Sequence, residues 1–230
     1  MILVLPISNK DSGLALENLE WMTELDGPKV ETVFVFSEDA PFDFGDVGTF
    51  RNVAGIIIPV GPVNKWPEAA NWMFYWTAKA MEPLGKPFFW CEADAVPLRK
   101  GWFQEIEKEY NSCGKAFMGA VIRVPGHPPV MRGVAVYPPD TASRFASLHL
   151  DTASEAWDIL DHDIVMPDMH ETHLIQDFWG AEGEPPTFKA AREKGDPRNV
   201  LTLDQIDKRA VIFHRVKDSS LRRLLWLKRQ

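Results

Sequence analysis

Short apolar runs rich in β-branched and aromatic residues stand out in the first part of the chain, at residues 2–7, 30–37, 55–60 and 87–91. Each run has the length of a β-strand. Between them, residues 14–25 and 66–81 carry apolar side chains at the spacing of an amphipathic helix. The order strand, helix, strand, strand, helix, strand predicts an α/β fold with a mostly parallel sheet flanked by helices.

The pattern changes after residue 100. It predicts a helix at residues 101–110, strands at 116–123 and 130–137, helical stretches at 140–148 and 152–161, a polar loop at 182–199 and a last strand at 210–213. No segment has the composition of a linker, so we expect residues 1–230 to form a single domain.

Polar side chains follow several of the predicted strands. Ser8 and Asn9 come after the first strand, Lys65 lies beyond the third, and Glu92 and Asp94 follow the fourth. In parallel sheets the carboxyl ends of the strands meet at one edge, and ligands bind there. We therefore expect these side chains to converge on one rim.

Glu92 and Asp94 are the strongest chemical signal. Two carboxylates two residues apart on an extended chain point to the same side. Oxygen ligands of this kind suit Mg²⁺ or Mn²⁺, which complete their shell with water and substrate phosphates. We expect Asp94 to face solvent at the rim, so that its replacement costs little stability. The alternative is a pair of acids that simply ends a strand and faces water.

Here the sequence resembles the GT-A glycosyltransferases, in which a metal-binding DxD motif follows a hydrophobic strand. Glu92-Ala93-Asp94 carries Glu where the motif usually has Asp, and residues 96–102 resemble the family's turn into the next helix. The resemblance implies a GT-A fold, a Mn²⁺ or Mg²⁺ ion held by Glu92 and Asp94, and a nucleotide-sugar donor. A UDP-sugar is the commonest donor among the metal-dependent members.

The same resemblance divides the chain into three parts. It implies a nucleotide-sugar-binding half in residues 1–100, an acceptor half in residues 101–213 and a basic C-terminal tail in residues 214–230. The donor-binding residues it implies are Pro6, Ser8, Asn9, Lys65, Glu92 and Lys217.

Two further segments match the family. Residues 131–138 are similar to its glycine-containing strand, in which Gly133 would let a sugar or acceptor approach the backbone. Near the C-terminus, His214 matches a histidine that completes the metal site, and Lys217 matches a lysine that meets the diphosphate. Taken alone, a glycine before a strand is more often a turn, and a histidine at a strand end is more often a surface residue.

Residues 168–177 are rich in acids and histidines. By position the resemblance places a proton-accepting base here, with Asp177 as the first candidate and Glu171 as the second. If the segment is helical, His173 and Asp177 share a face. His170 and His173 suggest zinc, but no further ligands with zinc spacing accompany them.

Composition and charge narrow the class of protein. The chain has 230 residues, a net charge of −8 and two cysteines. This predicts a reduced, cytoplasmic protein without a transmembrane segment, and it argues against a surface that is basic throughout. The tail from His214 onward nevertheless carries six basic side chains against one acid, a local charge of +5. It is a candidate anion-contacting element.

The acceptor is predicted from a narrower likeness. The segments around Asp94 and His214 resemble small glycosyltransferases of tailed phages, some of which glycosylate hydroxymethylated pyrimidines in DNA, and the basic tail could contact such DNA. Trp66 and Trp179 are candidate sugar platforms because each lies beside a predicted loop.

Four alternatives stay open. They are a saccharide or lipid-linked acceptor at a membrane surface contacted by an amphipathic tail, a tail that is simply a docked helix, and a catalytically silent sugar- or nucleotide-binding module; the fourth, a nucleotidyltransferase, is disfavoured because no glycine-rich basic loop follows the first strand.

Overall fold

The computed structural model describes residues 1–25, 30–40, 50, 53–61, 65–123, 126–178, 186–189 and 200–229. The strands found there are β1 (Ile2–Ile7), β2 (Thr32–Ser37), β3 (Val53–Ile58), β4 (Phe88–Trp90), β5 (Val96–Pro97), β6 (Phe117–Ile122), β7 (Val130–Tyr137), β8 (Met169–Glu171), β9 (Ile175–Asp177), β10 (Thr187–Phe188), β11 (Val200–Leu201) and β12 (Ile212–His214).

The α-helices in the same ranges are α1 (Ser12–Glu24), α2 (Glu68–Met81), α3 (Trp102–Cys113), α4 (Thr141–Arg144), α5 (Trp157–Leu160), α6 (His162–Val165) and α7 (Ser220–Arg229). Among these described helices, none combines the length and the apolar character that a membrane span requires.

The central sheet has seven strands among the described residues, in the order β3-β2-β1-β4-β7-β6-β8. Strands β1 to β4 pair in parallel, whereas β7 runs antiparallel to both of its neighbours, β4 and β6. Every position of β1 is buried, because helices and loops cover both faces of the sheet at its centre. The predicted α/β architecture with a mostly parallel sheet is confirmed.

A smaller sheet brings the C-terminal part of the chain to the end of β4. Its order is β5-β12-β9, with β12 antiparallel to β5 and parallel to β9. In this register His214 lies opposite Asp177. Just beyond β12, the Val216 N–H donates a hydrogen bond of 3.1 Å to the Asp94 carbonyl oxygen. The last strand is therefore fastened directly to the turn that carries the acidic pair.

Some predicted elements differ from the observed ones. Strand β3 begins and ends two residues earlier than predicted, and α3 continues to Cys113. The helical alternative for the segment before Asp177 is wrong, because β8 pairs with β6 and β9 pairs with β12. These pairings lie far apart along the chain, and they override the local pattern. Most of the predicted polar loop at residues 182–199 lies outside the described residues.

Helix α7 docks on the domain by its first turn. Leu221 is fully buried in an apolar cluster that includes Trp21 and Phe213. Arg222 is also buried and forms an ion pair with Glu17 of α1. The apolar face of the tail is therefore used for packing at its N-terminal end, as the docked-helix alternative predicts.

The Asp161 side chain, between α5 and α6, is a buried carboxyl group whose burial is not offset by hydrogen bonds to other described residues. It is 0% exposed, and within the described part of the chain neither oxygen has a hydrogen-bond partner on another residue. Burial, with a smaller contribution from Asp158, raises the pKa of Asp161 well above its ordinary value. The folded protein therefore favours the neutral, protonated form of this side chain.

We expect Asp161→Asn to stabilise the protein at neutral pH. With a raised folded pKa, the folded state binds a proton that the unfolded state has released, so this group lowers stability as the pH rises above about 4. A neutral amide removes that penalty, which grows as the pH rises toward 7 and vanishes near pH 4. Thermal melts at both pH values measure it. Asp163→Asn, at a side chain that is 99% exposed, is the control, and an unchanged or lower melting temperature at pH 7 for Asp161→Asn contradicts the prediction.

Candidate metal and donor site

A cavity of about 820 Å³ opens at the carboxyl edge of the central sheet. Its lining comes from the ends of the first four strands, from α2, from α5 and from the residues after β12. Pro6, Ser8 and Asn9, three of the predicted donor-binding residues, line it. The predicted rim is therefore a concave site of a size typical for small-molecule ligands.

Glu92, Asp94 and His214 meet in this cavity. His214 Nε2 lies 3.4 Å from a Glu92 carboxylate oxygen and 3.3 Å from an Asp94 carboxylate oxygen. One potential ligand atom from each of the three residues lies within 4.8 Å of the other two. The structure brings these three residues together, but the local geometry differs from the expected extended chain: β4 ends at Trp90, and the acids sit in a turn closed by the Ala95 N–H and the Glu92 carbonyl oxygen at 3.0 Å.

Asp94 is buried, with an exposed fraction of only 3%. The expectation that it faces solvent is therefore wrong, because the segment after β12 covers it. Burial alone would raise the pKa of Asp94, but His214 and Lys217 lower it well below the ordinary range. The carboxylate is ionised and ready to bind a cation without first losing a proton.

Asp177 lies behind His214 as seen from the acidic pair. Its carboxylate contacts His214 Nδ1 at 3.1 Å, and its side chain is 2% exposed. The contacts with Asp94, Asp177 and Glu92 raise the pKa of His214 well above its ordinary value, although burial alone would lower it. A carboxylate on one ring nitrogen fixes the imidazole so that the other nitrogen faces a metal ion. Asp177 thus orients His214 from behind.

Lys217 reaches the same cluster from the segment after β12. Its ammonium nitrogen lies 2.6 Å from an Asp94 oxygen, while about half of the side chain stays exposed. Arg215 has φ +80°, in the left-handed region that a residue with a side chain seldom adopts. The chain turns at this point, and His214 and Lys217 both face the Glu92–Asp94 turn as a result.

Gly133 on β7 provides space for its neighbours. A Cβ atom there would come within 2.9 Å of Glu92 Oε1 and 3.1 Å of the Trp157 ring. Gly133 also lines the cavity. A larger residue here would crowd Glu92 and Trp157, a constraint which the sequence did not indicate.

Comparison of the sequence with protein-family models finds no match, and comparison with curated proteins finds none either. Solved structures do match the fold. The galactosyltransferase LgtC in complex with donor and acceptor sugar analogues has a TM-score of 0.53 and 10% identity, over 96% of this chain and 88% of that one. The apo bifunctional glycosyltransferase WbbM has a TM-score of 0.58 and 7% identity, over 95% of this chain and 46% of that one.

Mouse xyloside xylosyltransferase 1, in its apo form, has a TM-score of 0.50 and 9% identity, over 77% of this chain and 88% of that one. This chain has the GT-A fold. At these identities the likeness establishes the architecture, and the chemistry has to be argued from the site itself.

In this GT-A fold, the three clustered residues fit a divalent cation. Two carboxylates and one imidazole form a donor set that Mn²⁺ and Mg²⁺ accept, with room for water and phosphate oxygens on the cavity side. Asp94 is already ionised, and His214 would release a proton on coordination. Trp90 donates its indole N–H to Glu92 at 3.2 Å and so orients the most exposed of the three ligands.

Several predicted site residues lie elsewhere. Lys65 is exposed, pairs with Glu68 at 3.7 Å and does not line the cavity. Glu171 is on the surface in an ion pair with Arg123. Asp177 is next to the site, but it is covered by His214 and does not line the cavity either.

Of the two tryptophans predicted as sugar platforms, the structure describes one. Trp66 lines the cavity and is 72% exposed, so its ring is accessible to a ligand. Trp179 lies outside the described residues.

Arg132 and Asp158 line the cavity but were not singled out from the sequence. Their side chains contact each other at 3.4 Å, and Arg132 also contacts Asp177 at 3.4 Å. Arg132 adjoins Gly133 in the segment at residues 131–138 that resembles the family. That neighbourhood is the feature of the sequence that could have pointed to Arg132. Asp158 falls in a short helix where an acid is ordinary, so its pattern carries no signal of a role.

Proposed function

We propose that this chain is a metal-dependent glycosyltransferase, which moves a sugar from a nucleotide-sugar donor to an acceptor hydroxyl. The observation that carries the proposal is the meeting of Glu92, Asp94 and His214, with Lys217 beside them, at the carboxyl edge of a GT-A fold. The solved glycosyltransferases of similar fold support it.

A bound Mn²⁺ or Mg²⁺ would neutralise the negative charge that grows on the departing nucleoside diphosphate. Glu92, Asp94 and His214 would hold that ion, and Asp177 would keep the His214 ring in place. Lys217, now paired with Asp94, would supply a further positive charge to the diphosphate. Ser8 and Asn9, at the end of β1, line the part of the cavity where the nucleotide is expected.

For the donor we propose a UDP-sugar, because it is the commonest donor of the metal-dependent family that the sequence resembles. A hydroxymethylated pyrimidine in DNA remains the proposed acceptor, with a saccharide or lipid-linked glycan as the alternative. Docking of α7 leaves Arg223 and Lys228 of the basic tail for such a contact, since Arg222 pairs with Glu17 and Arg229 donates a hydrogen bond to the Glu24 carbonyl oxygen.

A screen of nucleotide sugars tests the proposal. We expect the protein to release nucleoside diphosphate from UDP-glucose or UDP-galactose in the presence of Mn²⁺, and to lose this activity in EDTA. GDP-mannose and dTDP-glucose are the comparison donors. Adding DNA that contains 5-hydroxymethylcytosine, or a mixed oligosaccharide pool, should raise the rate if it supplies the acceptor. Failure to cleave any donor with Mn²⁺ present contradicts the proposed function.

A further inference from the structure

Asp158 lines the cavity but belongs neither to the proposed metal site nor to the strand ends where the nucleotide is expected. The acidic residues that line the cavity, among those the structure describes, are Asp11, Asp39, Glu92, Asp94 and Asp158. Asp11 and Asp39 follow β1 and β2 and accept hydrogen bonds from Ser8 and Ser37. Glu92 and Asp94 belong, with His214, to the proposed metal-binding residues. Asp158 comes from α5, whose Trp157 ring packs beside Gly133 of β7.

The backbone that carries Asp158 is held firmly. The buried Asn71 side chain of α2 donates hydrogen bonds to the carbonyl oxygens of Ala153 at 3.1 Å and Glu155 at 2.7 Å, and it accepts one from the Trp157 N–H at 2.9 Å. The Trp157 ring stacks on Phe74 with centroids 3.8 Å apart. A carboxylate on such a support keeps one position relative to the cavity, as a proton-transferring group requires.

Arg132 links Asp158, through ion-pair contacts, to the residues around the proposed metal site. Its guanidinium contacts Asp158 on one side and Asp177 on the other, each at 3.4 Å, and Asp177 contacts His214. The Asp158 side chain is 17% exposed, so it is desolvated yet open to the cavity. A continuous set of polar contacts therefore fixes Asp158 relative to the ion-binding residues.

The charged groups around Asp158 are Arg132, Glu92, Arg215, His214 and Asp161. Burial raises the pKa of Asp158 above its ordinary value, with Glu92 adding to the effect and Arg132 opposing it. A carboxylate whose pKa lies nearer to neutral accepts a proton more readily than an ordinary surface aspartate.

We propose that Asp158 is the general base that takes the proton from the acceptor hydroxyl; this assignment rests on the proposed function. In the step, a bond forms between the acceptor oxygen and the anomeric carbon of the sugar. The bond from that carbon to the diphosphate oxygen breaks, and its electron pair leaves with the nucleoside diphosphate. The acceptor proton moves to a carboxylate oxygen of Asp158, which afterwards releases it to water.

The test uses Asp158→Asn, which keeps the shape and the hydrogen bond to Arg132 but cannot accept the proton. With UDP-glucose and UDP-galactose as donors and water as the acceptor, we expect kcat for Mn²⁺-dependent cleavage to fall by about 10²–10³-fold. The Kd for UDP with Mn²⁺ should change by less than about twofold, since the metal and nucleotide contacts remain. Asp163→Asn, an exposed acid on α6, is the matched control and should keep the wild-type rate.

A second variant separates chemistry from structure. Asp158→Ala should be equally slow, and added formate should restore part of its turnover by entering the vacated space as a small carboxylate. Asp158→Asn with the wild-type rate, or a loss of UDP affinity that matches the loss of rate, overturns the assignment, as does the absence of rescue by formate. A wild-type protein that cleaves no donor overturns the proposed function itself, and the role of Asp158 with it.

Discussion

Asp94→Asn protein should bind UDP equally weakly with Mn²⁺ and with EDTA, and its donor cleavage should be roughly 10²–10³-fold slower than that of the wild type. An amide keeps one neutral oxygen but loses the charge that holds the cation between Glu92 and His214. Titration calorimetry with UDP, run with Mn²⁺ and with chelator, measures the binding. A Mn²⁺-dependent gain in UDP affinity that survives the substitution contradicts the proposed metal site.

The same substitution should also lower stability. Asp94 contacts Lys217 at 2.6 Å and His214 at 3.3 Å in a buried setting, and removal of one partner from such a cluster costs on the order of 3 kcal/mol. The folded pKa of Asp94 is depressed, so its stabilisation is present above the unfolded value near 4 and is lost as the pH falls through the lower folded pKa. Metal-free thermal melts should therefore show a large difference at pH 7 that narrows in acid.

Lys217→Met should change two affinities in opposite directions. Without nucleotide, Mn²⁺ should bind about tenfold more tightly, because the ammonium group no longer competes for Asp94. With Mn²⁺ saturating, UDP should bind about tenfold more weakly, because a charge that faces the diphosphate is missing. Uridine, which lacks the diphosphate, should bind both proteins alike.

The control for this variant is Lys115→Met. Lys115 has a similar exposure, 42% against 48% for Lys217, and its partner is Asp168 at the surface. Both affinities of Lys115→Met should equal those of the wild type. A Lys217→Met protein that binds Mn²⁺ and UDP as the wild type does would show that the lysine serves the metal-free fold alone.

Elements with a strong local pattern could be predicted from the sequence. The apolar runs that became β1, β2 and β4 are buried on both faces of the sheet, and such strands need no partner to be recognised. Polar residues come directly after these strands, because the chain leaves a parallel sheet at one edge and turns there. The pattern therefore predicts the rim of the sheet at which Ser8 and Asp94 line the cavity.

Residues whose place depends on strand pairing could not be predicted in the same way. The hydrophobic pattern describes one segment at a time, whereas the contacts of Asp177 depend on the register of β9 against β12. That pairing hides Asp177 behind His214 instead of opening it to the cavity. Likewise, Glu171 ends β8, an edge strand of the central sheet, and pairs with Arg123.

The sequence by itself determined the class of fold, the edge of the sheet that forms the site, and the residues Glu92, Asp94 and His214 as candidates for one metal centre. Only the tertiary structure decided that Asp94 is buried and that Arg132 joins Asp158 to Asp177. The physical reason is that backbone periodicity is a local property, while the burial and partners of a charged side chain depend on segments far away along the chain. In this chain the end of β12 and the segment after it cover Asp94 and supply His214 and Lys217, two of the groups that define its charge.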